Sequence, residues 1–336
     1  MTPMDECDLT FVNVGYGEAM VLRCPAPERP GGWFVMVIDG GSGEAEEYAD
    51  RASGRLTLAE YLAAAGVDHI DCMVATHIHE DHVCGLLPAA ERFRPAELWQ
   101  TLPPAFYRRA MHILDTSQAK TASQGKFLRA LNDYQRLCGL VEAGGGAIRT
   151  LFAGDSGALC SGLRYQVLAP GAEQAGALER GCRELFAERE PQAFLKKLST
   201  LDARMNNYSL ILLLEYRGVR ILLPGDTNRA GYGDIAPGQL RAELFKVGHH
   251  GQKDGASPEL LAAVGAKMVV CCASSDRRYE SAHPDTMAMI EQAGGTAYFS
   301  DCPRIGDPSR GPVPHQALTF TASEGGELTA RYVERV

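Results

Sequence analysis

His77-Ile78-His79-Glu80-Asp81-His82 follows directly on the apolar run Ile70-Asp71-Cys72-Met73-Val74-Ala75. The run predicts a buried strand, and the polar hexad a loop and first helical turn that present their side chains at its end. Three imidazoles beside a carboxylate suit Zn, Mn, Fe or Ni, whereas an all-oxygen site would suit Mg or Ca. In this spacing His77 and His79 can serve one metal ion, while Asp81 and His82 turn toward a second. Glu80, between them, is expected to face solvent.

Two later segments end in the same way. Val219-Arg220-Ile221-Leu222-Leu223-Pro224-Gly225-Asp226 reads as a strand that stops at Gly-Asp, and Leu244-Phe245-Lys246-Val247-Gly248-His249-His250-Gly251 as one that stops at His-His-Gly. Each oxygen of a carboxylate can take one cation, so Asp226 is placed to bridge two.

These pieces carry a family resemblance. The chain resembles the metallo-β-lactamase-fold hydrolases, and within them the soluble hydrolase domain of the ComEC-type competence proteins. The matching stretches are Phe11-Val12-Asn13-Val14-Gly15-Tyr16-Gly17-Glu18-Ala19, Val37-Ile38-Asp39-Gly40-Gly41 and Thr76-His77-Ile78-His79-Glu80-Asp81-His82. Further along they are Asn206-Asn207-Tyr208-Ser209-Leu210, Pro224-Gly225-Asp226, Val247-Gly248-His249-His250-Gly251 and Ala282-His283-Pro284. The resemblance implies an αββα sandwich of the α/β class, with ligands on loops along one edge.

It also implies a two-metal site. His77 and His79 would hold the first cation, Asp81, His82 and His249 the second, with Asp226 between them. Many relatives place a third histidine for the first cation before the Gly-Asp strand. Here His112 is the only histidine in that interval, in a helical segment without a match, and Asn206-Asn207 takes the place in the order. An amide oxygen is a harder, weaker ligand than imidazole, which leaves two divalent ions, Zn or Mn, as the expected cofactors. Asp39 corresponds to the aspartate that orients the metal loop through hydrogen bonds. His283 is the candidate that binds a phosphate oxygen or protonates the leaving group, with Asp81 its catalytic companion; His250 flanks the site as a candidate for metal or substrate, and Lys246 as a candidate for substrate.

The 336 residues, 45% hydrophobic and 22% charged, are ordinary for a globular chain, read here as one domain over 1–336. No window approaches the ~18 apolar residues of a membrane span. The start, Met1-Thr2-Pro3-Met4-Asp5-Glu6, lacks a signal-peptide pattern. Ten cysteines without a CxxC read as free thiols in a reducing cytoplasm. These features predict a free-standing soluble enzyme.

Strands are predicted near 9–14, 19–24 and 33–38, then a helix at 57–65. A second β-rich half begins near Leu151, with strands at 163–168, 209–216, 219–223, 244–247 and 267–272. The segment 93–146 does not match the family and reads as a helical insertion. From Arg92 to Arg136 eight Lys or Arg face three acids, in a chain whose formal charge is −9. Such a basic segment, with Arg108 and Arg109, is a candidate lid that gathers an anionic substrate, nucleic acid or nucleotide.

The function implied is a metal-dependent phosphodiesterase or nuclease using a hydroxide that bridges two cations. The alternative on the same scaffold is hydrolysis of a lactone, thioester or β-lactam. The −9 charge counts against a long nucleic-acid track.

Overall fold

The computed structural model describes residues 6–301 and 314–336. Residues 1–5 of the start and Cys302 lie outside them.

The first half winds an eight-stranded sheet. Strands β1 (Cys7–Val12), β2 (Ala19–Pro25) and β3 (Trp33–Gly40) are antiparallel, and β3 then pairs in parallel with β4 (Cys72–Val74). Helix α1 (Leu58–Ala64) lies between β3 and β4; Thr57 and Glu60 close a capping box at its start, worth about 1 kcal/mol. After β4 come the short helix α2 (Glu80–Val83), α3 (Leu86–Phe93) and the parallel strand β5 (Glu97–Gln100). Helices α4 (Pro104–Arg109) and α5 (Ala122–Ala143) follow, and β6 (Ala147–Thr150) completes that edge beside β5.

The second half winds a seven-stranded sheet. It holds β7 (Ser156–Cys160), β8 (Leu163–Ala169), β9 (Ile211–Tyr216) and β10 (Val219–Leu223), with the hairpin of helices α6 (Ala172–Ala187) and α7 (Pro191–Asp202) inserted after β8. Strand β11 (Leu244–Lys246), helix α8 (Pro258–Val264), β12 (Met268–Cys271), helix α9 (Pro284–Gln292) and β13 (Thr296–Phe299) continue it in parallel. The closing strands β14 (Ala317–Ala322) and β15 (Leu328–Val333) return to the first sheet, β14 pairing with β1.

Alternation along the strands builds the layers. Leu9, Phe11, Met20, Leu22, Met36 and Ile38 face inward and meet Leu212, Leu214, Ile221 and Leu223 of the other sheet in one core. The intervening Val21, Val35 and Val37 point outward, beneath α1, α3 and α5. Leu213, Leu222 and Phe245 point to the opposite outside, beneath α8. The result is the expected αββα sandwich.

Segment 93–146 is helical between β5 and β6, but it is not an appendage. It contributes β5 to the sheet, and α5 buries Phe127, Leu128, Leu131, Tyr134 and Leu137 in the core. Phe106 and Tyr107 are buried there too. Helices α6 and α7 likewise insert Leu178, Leu185, Phe194 and Leu198 into the same core. His112 stands exposed outside any helix. Strands β5, β6, β7 and β13, at most five residues each, escaped the sequence pattern.

Candidate metal centre

Strand β4 delivers the histidine loop, and Asp39 receives it. The carboxylate of Asp39 accepts from Thr76 N at 2.9 Å and from Thr76 Oγ1 at 2.6 Å. It also accepts from His82 Nδ1 at 2.8 Å, in full burial. That last bond places the His82 proton on Nδ1 and turns Nε2 inward. There Nε2 lies 3.3 Å from Asp226 Oδ2 and 3.8 Å from Asp81 Oδ2, without hydrogen-bond geometry to any described partner.

His250 answers from the other sheet. Its Nδ1 donates to the Cys272 carbonyl at 2.9 Å, so Nε2 faces Asp226 Oδ2 at 2.9 Å and Asp81 Oδ2 at 3.1 Å. Glu18, His82, Asp226 and His250, all buried, bring one potential ligand atom each within 4.8 Å of one another.

His249 was expected in this place. It points away, with Nδ1 bonded to Asp254 Oδ1 at 2.7 Å. The cause is the backbone: His249, His250 and Gly251 have φ of 48°, 50° and 69°, and a left-handed turn redirects consecutive side chains. A count of residues along a strand cannot phase such a turn.

His77 and His79 form the other end of the cluster. His77 Nε2 and His79 Nδ1 are 3.0 Å apart, and the His77 ring lies 4.1 Å from that of His82, centroid to centroid. On its far side His79 Nε2 meets Asp202 Oδ1 at 3.1 Å, and Ser123 Oγ donates to the second oxygen of Asp202. Asn206 and Asn207, in the turn Met205–Tyr208 that follows α7, have carboxamide oxygens without a hydrogen-bond partner among the described residues.

Electrostatics follow from this crowding. Burial works against charge on His82, but Asp226, Asp81 and Asp39 outweigh it and hold the imidazole well above its ordinary pKa. His250 is raised in the same way, burial being overcome chiefly by Asp226. Burial opposes ionisation of Asp226, yet His250 and His82 pull it well below the usual carboxylate range. His77 is pushed well down by burial and by its neighbours His82 and His79.

Three expected residues stand elsewhere. Lys246 is fully buried: Nζ donates to Gly225 O at 2.7 Å, lies 3.1 Å from Asp226 Oδ1 and pairs with Glu18, so it does not face a substrate. Exposed Arg108 pairs with Glu142 near the C-terminal end of α5. Phe127, whose ring is 5.8 Å from His79, is roughly 22 Å back along that helix at 1.5 Å per residue. Arg109, the next residue in α4, is exposed too. Lys126 and Arg129 pair with Glu44, and Arg136 with Asp133, so much of the segment's positive charge is already matched.

Glu80 also departs from expectation. It is buried, accepting from Ser42 Oγ and Gly43 N at 2.8 Å each, and burial raises its pKa. His283 caps α9: its Nδ1 accepts from Asp285 N at 3.2 Å, and its own N–H donates to Gly251 O at 2.9 Å. Glu18 and Asp202 were not singled out. Glu18 follows Gly17, whose Cβ position would lie 2.5 Å from Asp81 O, so only that glycine lets the carboxylate tuck beneath the histidine loop. Asp202 carries no local signal, being one acid among many at the end of an amphipathic helix.

A cavity of about 480 Å³ opens between α6 and α7. Arg180, Lys196, Lys197 and Arg204 line it against one acid, Glu184. Lys197 pairs with Glu188, whereas Arg180, Lys196 and Arg204 have no ion-pair partner among the described residues. Its wall includes Thr200, Leu201, Arg204 and Tyr208, residues that bracket the Asp202 contact to His79.

Residues 28–157, which contain Asp39 and the histidine loop, match the family model described as the metallo-beta-lactamase superfamily. The chain is 22% identical over 295 residues to ComE operon protein 3 of Bacillus subtilis (strain 168). That alignment covers 85% of this chain and 31% of the relative, so the chain spans about a third of its length. Among solved structures, Zn(2+)-bound PqqB from Methylobacterium extorquens is 11% identical at a TM-score of 0.41, covering 87% of this chain and 98% of that one. A diphosphatase from the PhnP family is 11% identical at a TM-score of 0.40, covering 94% and 98%. The family model thus covers the part of the chain that carries Asp39 and the histidine loop, and there the chain is similar to the metallo-β-lactamase superfamily.

Proposed function

We propose that the chain is a metal-dependent phosphodiesterase or nuclease that holds two divalent cations, Zn or Mn. The observation that carries the reading is the convergence of His82 Nε2, His250 Nε2, Asp81 and Asp226 on one point, with His82 Nε2, Glu18 Oε2 and the Asn206 and Asn207 oxygens lacking a hydrogen-bond partner among the described residues. Buried polar atoms rarely go unsatisfied, and a cation accepted by these lone pairs removes the deficit.

In this reading His77 and His79 hold the first cation with an oxygen of Asn206 or Asn207. Asp81, His82 and His250 hold the second, in place of the expected His249, and Asp226 lies between the two. When bound, the cations supply Lewis acidity and make water a nucleophile near neutral pH. Asp39 and the Cys272 carbonyl keep a proton on Nδ1 of His82 and His250, so a cation that displaces the proton from Nε2 would meet both Nε2 lone pairs. Asp202 orients His79 in the same manner. Because Nδ1 of His283 accepts from the α9 backbone, its proton sits on Nε2, where it can donate a hydrogen bond to a phosphate oxygen.

The choice of a phosphodiester rests on the cationic groove between α6 and α7, whose unpaired Arg180, Lys196 and Arg204 suit an anionic chain such as nucleic acid. The nine described cysteines are free and eight are buried, which supports a reducing compartment such as the cytoplasm. No helix among the described residues is long and apolar enough to cross a membrane.

Turnover of bis-(p-nitrophenyl) phosphate, single-stranded DNA and RNA, each with added Mn or Zn, tests the reading beside nitrocefin and a homoserine lactone. Diester cleavage that requires metal and disappears in Asp226→Ala is expected. Turnover of the lactam or lactone alone would replace this function with carbonyl hydrolysis.

A further inference from the structure

A ladder of aromatic rings leads from the centre to solvent. Tyr16, in the turn between β1 and β2, has its ring 4.5 Å from that of His250. On the other side the Tyr16 ring is 5.0 Å from Tyr279, at 64°. Tyr279 is 55% exposed, the most open of the three exposed large hydrophobic residues among those described.

The loop that presents Tyr279 is held against its own preferences. Between β12 and α9, Arg277, Tyr279, Glu280 and Ala282 have φ of 51°, 55°, 59° and 48°. Left-handed backbone is costly for residues with a Cβ and persists where surrounding contacts over-determine it, a condition concentrated at ligand and active sites. Burial of Tyr279 does not meet that cost, because most of its surface is open. Arg277 bonds the Ala282 carbonyl at 2.8 Å, and Ser275 N donates to Asp301 at 2.7 Å.

One buried carboxylate ties the two tyrosines together. Glu47 Oε1 accepts from Tyr16 N at 2.8 Å, while Glu47 Oε2 takes the Arg278 guanidinium at 2.6 Å. Arg55, itself buried, clamps Glu47 at 3.1 Å and Asp301 at 2.8 Å. The turn carrying Tyr16 and the loop carrying Tyr279 are thus set relative to each other, while Tyr279 stays 55% exposed. A tyrosine needed only for packing would not require this framework and would not stay half in water.

We propose that Tyr16 and Tyr279 form a stacking platform for a planar ring of the substrate, a nucleobase adjoining the phosphate that reaches the metal centre. Stacking on aromatic side chains accepts every base, so the platform confers a preference for nucleotides without reading sequence. The identity of that ring rests on the phosphodiesterase reading above.

The test is equilibrium binding to the full chain with Mn added, read by fluorescence of etheno-AMP and, for ribose 5-phosphate, by its displacement. Wild type should bind the nucleotide more tightly than the sugar phosphate. Tyr279→Ala should weaken the nucleotide by about tenfold or more, the loss expected of one base–aromatic stack, and leave ribose 5-phosphate within about twofold. Tyr279→Phe, which keeps the ring, should bind as wild type. Equal nucleotide affinity in Tyr279→Ala and wild type, or no advantage of the nucleotide over the sugar phosphate in wild type, overturns the platform. If stacking holds while no phosphodiester is cleaved, the hydrolytic reading fails and the platform stands.

Discussion

The Asp39 carboxylate sits at φ 55° and spends both oxygens on the histidine loop, one on Thr76 N and the other shared by Thr76 Oγ1 and His82. This arrangement fixes the imidazole tautomer before any ion arrives. Metal-orienting partners of this kind alter affinity by about 10–100-fold when removed. The adjacent pair His249-His250 separates two roles that composition alone cannot distinguish. We expect His250→Ala to lose bound metal, measured as ions per chain, and to lose turnover. His249→Ala, which breaks only the bond to Asp254, should keep its metal content and stay within about threefold of wild-type turnover, as removal of an exposed pair costs about 0–1 kcal/mol. Full metal loading in His250→Ala would return the assignment to His249.

The end of β3 and the α2–α3 junction meet through glycine. A Cβ at Gly85 would lie 1.9 Å from Gly40 O, and one at Gly40 would lie 2.3 Å from Leu86 N. Gly85 has φ −74°, open to any residue, so only the close approach demands glycine there. That approach holds the strand carrying Asp39 against the helices that follow His82. Gly85→Ala should therefore push the two apart, destabilising the chain by about 1–3 kcal/mol, as overpacking does elsewhere. Thermal melting several degrees below wild type, with weaker metal binding in a competition assay, is the expected result. An unchanged melt with unchanged metal affinity would show that the junction absorbs the methyl and does not control Asp39.

Charge is distributed across the chain in a way its net value hides. The formal total is −9, yet the α6–α7 groove gathers cations without an ion pair among the described residues beside the end of α7 that reaches His79. Four of the seven basic residues of 93–146 are instead paired, Arg108 with Glu142 near the end of α5. Reversal of Arg180 and Lys196 to Glu should weaken single-stranded DNA binding and flatten its salt dependence, the log–log slope falling by roughly 0.7 for each phosphate no longer neutralised. Arg108→Glu with Arg109→Glu should change neither, because their charge is spent away from the centre. Binding titrations over a salt series decide the matter: a reversed groove with an unaltered slope removes it from the substrate path.

Much of the cluster of imidazoles and carboxylates was legible in the chain because these residues follow short apolar strands. His77, His79, Asp81, His82 and Asp226 all follow buried strands, and a short continuous apolar run announces such a strand in the amino acids themselves. The sandwich was legible for the same reason, since β1 to β3 alternate cleanly between two cores. Strands such as β5 and β6, four residues long, leave too short a pattern to register. Glu18, Asp202 and the choice of His250 over His249 arise from contacts between residues far apart in the chain, or from a left-handed turn, neither of which leaves a local period. The pairing of surface arginines was equally closed to view, because a charge count holds no information on which partner lies opposite. Local patterning thus selects the strands and their terminal ligands, whereas the direction each side chain finally faces is decided only when the two sheets close on one another.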